Sequence, residues 1–370
     1  MQFRIHSQSY HLLTLNYLKN RILFFGPLPP IITGQSIAFS YALSSIERES
    51  VVIDTQRYSN KFLSFIYIQL RVFQVFILNR IDIIYITTSR SYFGFFREAS
   101  ILFIAKMFNV RVVNHLHGSD FYDFYNSSWL LKKFLRPLYS HISTSIVLLD
   151  EMKEQYKQFP NMNLEVVSNC YDPIYENETI DFQVKSGILY LSNIMYSKGI
   201  IDFLDSLDIV LSKSTTEVYI AGAILGDYLK TKQEIENIFQ NKLNTLNKIF
   251  NNRVKYLGVV KGDEKMKLLK RTSVFCLPTF YKTEAFPLSI IEAMALGNAI
   301  ITTNHNYLPS IISNKNGVIV PVSNVSKLAK SVLSLIDNPS LSSIQKGNVD
   351  YARENYSFSK FKENIKRILA

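Results

Sequence analysis

Glycine is scarce in this chain, 13 of 370 residues. Each one that ends an apolar run therefore points to a turn or a close backbone approach. Cysteine is scarcer: Cys170 and Cys276 stand far apart, which excludes a disulfide framework and a cysteine metal cluster and fits a reducing compartment. Long Lys/Arg runs are absent, and so is any RNA- or DNA-binding signature, although the net charge is +11. Nucleic acid is therefore not an expected partner. The basic excess, 15 Lys and Arg against 8 Asp and Glu in residues 1–150, suits a phosphate-bearing substrate or an anionic membrane instead. Residues 1–20 include Arg4 and His6 and lack the apolar core of a signal peptide. The longest apolar stretch, FLSFIYIQLRVFQVFILN at 62–79, has Arg71 near its centre beside Gln69 and Gln74. A central arginine costs at least about 2.5 kcal/mol in hydrocarbon, so a buried or half-buried helix is expected there. Asp-x-Asp, HExxH, the Walker P-loop, GxSxG and GxGxxG are all missing, which disfavours the metal-dependent, nucleotide-hydrolysing, serine-hydrolase and nicotinamide chemistries those motifs carry.

What is present is alternation. Short apolar runs at 21–25, 51–54, 81–87, 111–115, 145–149 and 164–167 are separated by stretches of helical spacing such as 96–108. A second series follows at 188–191, 217–221, 254–257, 274–277, 299–302 and 317–320, with a helix over 198–211. Strands alternating with helices predict parallel sheets. The polar, acidic segment 172–186 reads as a linker, giving a domain over 1–180, a second over 181–355 and a final helix over 356–370. In such sheets ligands bind beyond the carboxyl ends of the strands.

After the run at 274–277 the chain reads PTFYKTEAFPLSIIEAMALG, residues 278–297. Pro287 is predicted as the first helical residue and Gly297 as the C-terminal glycine. A helix starting at a strand's carboxyl end points free N–H groups and a positive dipole at phosphate oxygens. Glu284 and Glu292, eight residues apart, supply carboxylates that accept hydrogen bonds from paired hydroxyls, as on a sugar or ribose.

This phrase resembles the E-x7-E signature of the retaining GT-B glycosyltransferases of group 1, the family 4 type. The resemblance runs from about residue 21 to 322. It implies an α/β fold of two Rossmann-like domains facing across a cleft, with the C-terminal helix returning to the first. It also implies sugar transfer from a nucleoside-diphosphate donor without a metal or other cofactor. On that resemblance Glu284 meets the donor-sugar hydroxyls and Glu292 the ribose, with Phe286 and Leu288 of the same phrase at the donor. In ILYLSNIMYSKGIIDFL, residues 188–204, Lys198 falls on the diphosphate-binding lysine, while Asn193 stands where the family has arginine, removing one cation. Gly34 closes a loop similar to the family's glycine loop, and His117 of His115-Leu-His117-Gly118 matches the histidine that reaches the donor sugar. VSNCYD, 167–172, is similar to a phrase that closes the family's first domain, with Cys170 replacing glycine.

The expected activity is a hexosyltransferase acting on a glycan or lipid-linked acceptor in bacterial surface polysaccharide synthesis, such as O-antigen of lipopolysaccharide, or capsule. The expected location is cytoplasmic, with a peripheral contact on the inner face of the membrane, because Trp129 is followed by apolar residues interleaved with Lys132, Lys133 and Arg136. Two alternatives are a nucleotide-sugar 2-epimerase of the same fold and a non-catalytic binding subunit, the second favoured by Asn193.

Overall fold

The apolar runs form parallel strands, and the central ones are buried on both faces, which is why they are near-continuous rather than alternating. The computed structural model describes residues 21–31, 33–58 and 60–370, so the reading of residues 1–20 lies outside the described residues. The first sheet has the order β2-β1-β3-β4-β5-β6. Its strands are β1 Arg21–Gly26, β2 Ser50–Asp54, β3 Ile81–Thr87, β4 Arg111–His115, β5 Thr144–Val147 and β6 Asn163–Val166. The second sheet, β12-β11-β10-β7-β8-β9, is made of β7 Ile188–Leu191, β8 Val218–Ala221, β9 Val254–Tyr256, β10 Val274–Leu277, β11 Ala299–Thr303 and β12 Gly317–Val320. All pairings between these strands are parallel. The architecture is two Rossmann-like α/β units, as the sequence predicts.

Among the described residues, one unit comprises those from Arg21 to Val167 together with Lys362–Ala370, the other Ser168–Phe361. The segment 172–186, read from sequence as a linker, lies in the second unit. The C-terminal helix Phe358–Leu369 ends in the first unit, where Arg111 Nη2 donates to the Ile368 carbonyl at 2.7 Å and Arg367 pairs with Glu165 at 2.8 Å.

Each sheet reverses its winding once. In the first, the chain leaves β1 toward β2 and then crosses to β3 on β1's other side. In the second, it leaves β7 toward β8 and later inserts β10 on β7's other side. These two switch points, β1/β3 and β7/β10, are where loops diverge and leave a crevice.

Two predicted positions shift. Pro287 is extended (ψ 120°) and caps the helix instead of opening it; the helix runs Leu288–Ala295. Lys198 lies in the short turn Tyr196–Lys198, not on the following helix, because Gly199 adopts left-handed φ 74° and the helix begins at Ile200. The remaining boundary differences are of a few residues, the ordinary uncertainty of a fraying end. The 62–79 stretch forms the helix Lys61–Leu78, which buries Ile68, Val72 and Val75. Among the described residues no helix is long and apolar enough to cross a membrane.

Candidate active site

β7 and β10 are hydrogen-bonded neighbours, with Ile188 opposite Val274 and Leu189 opposite Phe275. The loops after them therefore run side by side. Phe280 N–H donates to the Ser197 carbonyl at 2.8 Å, joining the two loops directly. Gly199 makes this possible twice over. Its φ is one that side chains rarely adopt, and a Cβ there would lie 2.0 Å from the Pro278 carbonyl oxygen.

Across this seam the Lys198 ammonium donates to the Glu284 carboxylate. The Thr279 hydroxyl donates to the same carboxylate at 3.2 Å, and the Asn306 amide holds the Glu284 carbonyl at 3.0 Å. Lys198 also lies 4.8 Å over the Tyr281 ring, an arrangement that favours a cation. Both side chains are nearly buried, at 15% and 9% exposure, so the pair is held where its field is weakly screened.

Glu292 lies inside the Leu288–Ala295 helix and is buried. Burial pushes its carboxyl above the usual carboxylate range; Lys265, paired with it at 2.7 Å, pulls the other way. Lys265 comes from the helix Gly262–Arg271 and also lies 5.8 Å over the Tyr175 ring. Sequence reading missed Lys265: it is 27 residues from its partner and no spacing rule joins them. No side chain caps the Leu288–Ala295 helix, and the Ile290 N–H turns back to the Pro287 carbonyl at 3.2 Å, so the N–H groups ahead of Ile290 are the ones an anion could use. Leu288 is half-buried at that end. Phe286 is buried against Tyr356, with ring centroids 5.3 Å apart, and its carbonyl accepts from Asn169 at 3.2 Å. Asn169 of the 167–172 phrase thus supports the loop that carries Glu284.

Asn193 follows β7 and is exposed between half-buried Ser192 and buried Ile194; its carbonyl accepts from the Tyr190 hydroxyl at 3.3 Å. The loop after β8 is stitched to the same stretch. Ile194 N–H donates to the Ala223 carbonyl at 2.8 Å, and Ser197 N–H donates to Asp227 Oδ2 at 2.7 Å. Asp227 Oδ1 also accepts from the Lys230 N–H at 2.9 Å, and the Lys230 ammonium sits 5.1 Å over the Tyr196 ring. A second cation thus stands beside the turn that carries Lys198.

Gly34 and His117 belong to the first unit. Gly34 opens the helix Gly34–Ser44, capped by the Thr33 hydroxyl. His117 follows β4, its ring tilted at 35° with its centroid 4.0 Å from that of His115, whose Nδ1 meets the Tyr85 hydroxyl at 2.7 Å. Both His117 ring nitrogens are buried without a hydrogen-bond partner. Burial, then the nearby Arg90 charge, pushes its pKa down to about 3, so the ring is neutral at pH 7 and has one donor and one acceptor to offer. Arg90 pairs with Asp120 at 2.5 Å and passes over Gly118, where a Cβ would fall 2.2 Å from its Cζ.

The structure therefore brings Lys198 and Glu284 into contact, sets Asn193 and Lys230 on the loops that flank them, and pairs Glu292 with Lys265. Among the described residues no group of three or more His, Cys, Asp or Glu is arranged to hold a metal ion.

Comparison with known proteins follows the same division. Residues 180–353 match the family model described as glycosyl transferases group 1. An uncharacterised glycosyltransferase of Methanocaldococcus jannaschii is 29% identical over 188 residues, 47% of this chain and 45% of the relative. The Campylobacter jejuni N,N′-diacetylbacillosaminyl-diphospho-undecaprenol α-1,3-N-acetylgalactosaminyltransferase is 26% identical over 186 residues, 50% of this chain and 43% of that protein. This chain thus spans less than half the length of either relative. Among solved structures, Anabaena HepE in complex with UDP superposes with a TM-score of 0.70 at 14% identity, covering 94% of this chain and 99% of that one. The segment that carries Lys198, Lys265, Glu284 and Glu292 is the one that matches the group 1 glycosyl transferases, on a fold of two parallel-sheet units that GT-B glycosyltransferases share.

Proposed function

We propose that this chain is a retaining glycosyltransferase that moves a hexosyl group from a nucleoside-diphosphate donor to a glycan or lipid-linked acceptor, without a metal. The observation that carries the reading is the Lys198–Glu284 pair at the β7/β10 switch point, beside an uncapped helix N-terminus. Negative charge grows on the departing diphosphate, and donors already in place stabilise it without reorganising. Lys198 and the first N–H groups of the Leu288–Ala295 helix are those donors. Glu284 then accepts from donor-sugar hydroxyls and Glu292 from the ribose. Phe286 acts through the loop it anchors, and Leu288 packs at the helix end. In the first unit, the neutral His117 ring with its two unpartnered nitrogens is suited to a sugar hydroxyl, and Gly34 leaves room for close backbone approach.

The acceptor class is supported by the Campylobacter relative, whose name describes a sugar transferred to a diphospho-undecaprenol-linked saccharide. A role in bacterial surface polysaccharide synthesis at the cytoplasmic side of the membrane follows from that class. The test is a panel of UDP-, GDP- and dTDP-sugars, reading nucleoside diphosphate release with and without undecaprenyl-diphosphate-linked sugars. Acceptor-dependent release lost in Glu284→Ala supports the proposal. An epimerised donor without acceptor would replace it with the 2-epimerase, and no binding of any nucleoside diphosphate would leave a non-catalytic subunit.

A further inference from the structure

The first unit turns an unusual face outward. Three helices, Lys61–Leu78, Tyr92–Met107 and Trp129–Tyr139, belong to the successive crossovers β2–β3, β3–β4 and β4–β5. Right-handed crossovers moving in one direction place their helices on one side of a sheet. The three helices pack side by side there. Phe65 meets Phe93 and Phe76 meets Phe108, each pair with centroids 6.3 Å apart. On the other flank Lys106 donates to the Pro137 carbonyl at 3.1 Å.

A surface helix of an α/β unit normally buries one stripe and presents a polar one. Here the outer stripe is apolar as well. On the first helix Phe62, Leu70 and Phe73 are 64–69% exposed. On the second, Phe96 and Phe103, seven residues apart and so on one side of the helix, are 57% and 56% exposed. Trp129 and Phe134 on the third are 69% and 58% exposed. Large exposed apolar side chains gathered on three neighbouring helices mark a contact with something else.

The charges among these rings are of one sign. The three helices contain a single acid, Glu98, which is buried, and Arg97 beside it turns inward to the Thr55 carbonyl at 3.1 Å; the cations this leaves among the described side chains are Arg71, Lys106, Lys132, Lys133 and Arg136. Lys133 lies 5.4 Å over the Trp129 ring and Lys106 is exposed at the far end of the second helix. This sign pattern selects the occupant. A second copy docked by two-fold symmetry would set the same cations against each other with no exposed carboxylate on either face. An anionic bilayer surface accepts both features at once: rings enter the headgroup boundary and cations remain among the phosphates. The face lies on the membrane rather than in it, since no described helix is apolar enough to cross.

We propose that the outer face of these three helices is a membrane-docking surface for anionic lipid, formed by Phe62, Phe73, Phe96, Phe103, Trp129 and Phe134 with the interleaved Lys and Arg. It deepens the proposed function by bringing the chain to the surface where a lipid-linked acceptor resides, and it rests on that reading only for this purpose.

The test is sedimentation of the full chain with vesicles of phosphatidylcholine containing phosphatidylglycerol, against pure phosphatidylcholine, with no donor present. Binding to the anionic vesicles that weakens with salt is expected. Each cation near an anionic surface is worth about fivefold in partitioning, so K132Q/K133Q/R136Q is expected to lose roughly a hundredfold. F96D/F103D, at positions already exposed to water, is expected to lose about tenfold or more. Should that variant not fold, the triple charge variant decides alone. Failure of the full chain to bind anionic vesicles, or unchanged binding by both variants, overturns the proposal. So does a solution dimer that F96D/F103D splits without any vesicle binding, which would give the face to a second copy. The vesicle readout needs no sugar transfer, so either reading can fail while the other stands; nucleoside diphosphate binding is expected to be unchanged in both variants.

Discussion

Lys198 and Glu284 are 86 residues apart and share a proton-donor bond because β10 inserts directly beside β7. Neither side chain is placed by its own loop alone. The pair is a property of the sheet order, and several outcomes follow from treating the two residues as one unit.

Removing either partner leaves a nearly buried charge without its counterion. Glu284→Ala and Lys198→Ala are each expected to lower kcat about a hundredfold or more, and each to lower stability by about 3 kcal/mol in urea unfolding. The double variant is expected to be little worse than the poorer single one, since residues acting together are not additive. Full additivity in the cycle would mean that the two act separately.

Asn193 is exposed and carries no charge, at the position where the resemblance puts a cation and the proposed function a diphosphate. Asn193→Arg is expected to tighten nucleoside diphosphate binding about tenfold, the worth of one charge-assisted hydrogen bond. Lys230→Gln is expected to weaken it, and Asn193→Arg to restore what Lys230→Gln loses. Calorimetry with UDP and GDP reads all three variants; no change in any of them would remove the cationic role from this loop pair.

Glu98 is buried in the first unit, where the Ser89 N–H donates to it at 3.2 Å. Burial raises its pKa from 4.5 to about 7, with Arg97 opposing. The folded state thus holds a proton that the unfolded chain releases near pH 4.5. Stability from this group is complete below that pH and is lost as pH rises through about 7, a change of about 3 kcal/mol. Glu98→Gln keeps the shape and removes the titration. Urea unfolding from pH 4 to 8 is expected to show the wild-type curve falling relative to the variant; parallel curves would refute the assignment.

Gly199→Ala forces a side chain into left-handed backbone and toward the Pro278 carbonyl. A stability loss above about 1 kcal/mol is expected from the backbone alone. Donor affinity is expected to fall as well, because the turn that carries Lys198 must shift. Thermal unfolding and calorimetry on the same sample separate the two effects.

Much of the fold is legible in the sequence, for identifiable reasons. Buried parallel strands such as Ile81–Thr87 and Val274–Leu277 announce themselves as unbroken apolar runs. Glu284 and Glu292 were legible because the phrase around them is long and specific. Lys265 was not, because its role exists only through a tertiary contact with Glu292. The turn at Lys198 was hidden by helical spacing on its C-terminal side, which a single left-handed glycine interrupts. The outward stripe of the Lys61–Leu78 helix was not legible, since the 62–79 stretch reads as a buried or half-buried helix: apolar residues on every side of a helix predict burial, and a sequence does not say which side the sheet will occupy.

The strand order of the second sheet also has a consequence in time. A chain made from its N-terminus has β7, β8 and β9 before β10 exists, so the edge of β7 toward β10 stays open until residues 274–277 arrive. Lys198 waits without its carboxylate over the same interval. Closing a loop of that length is the slow kind of contact in folding, and an open strand edge is the kind that recruits other chains. Synthesis stalled before residue 274 would leave a fragment with Lys198 but not Glu284, an exposed edge and no assembled pair, a species for which aggregation is the expected fate.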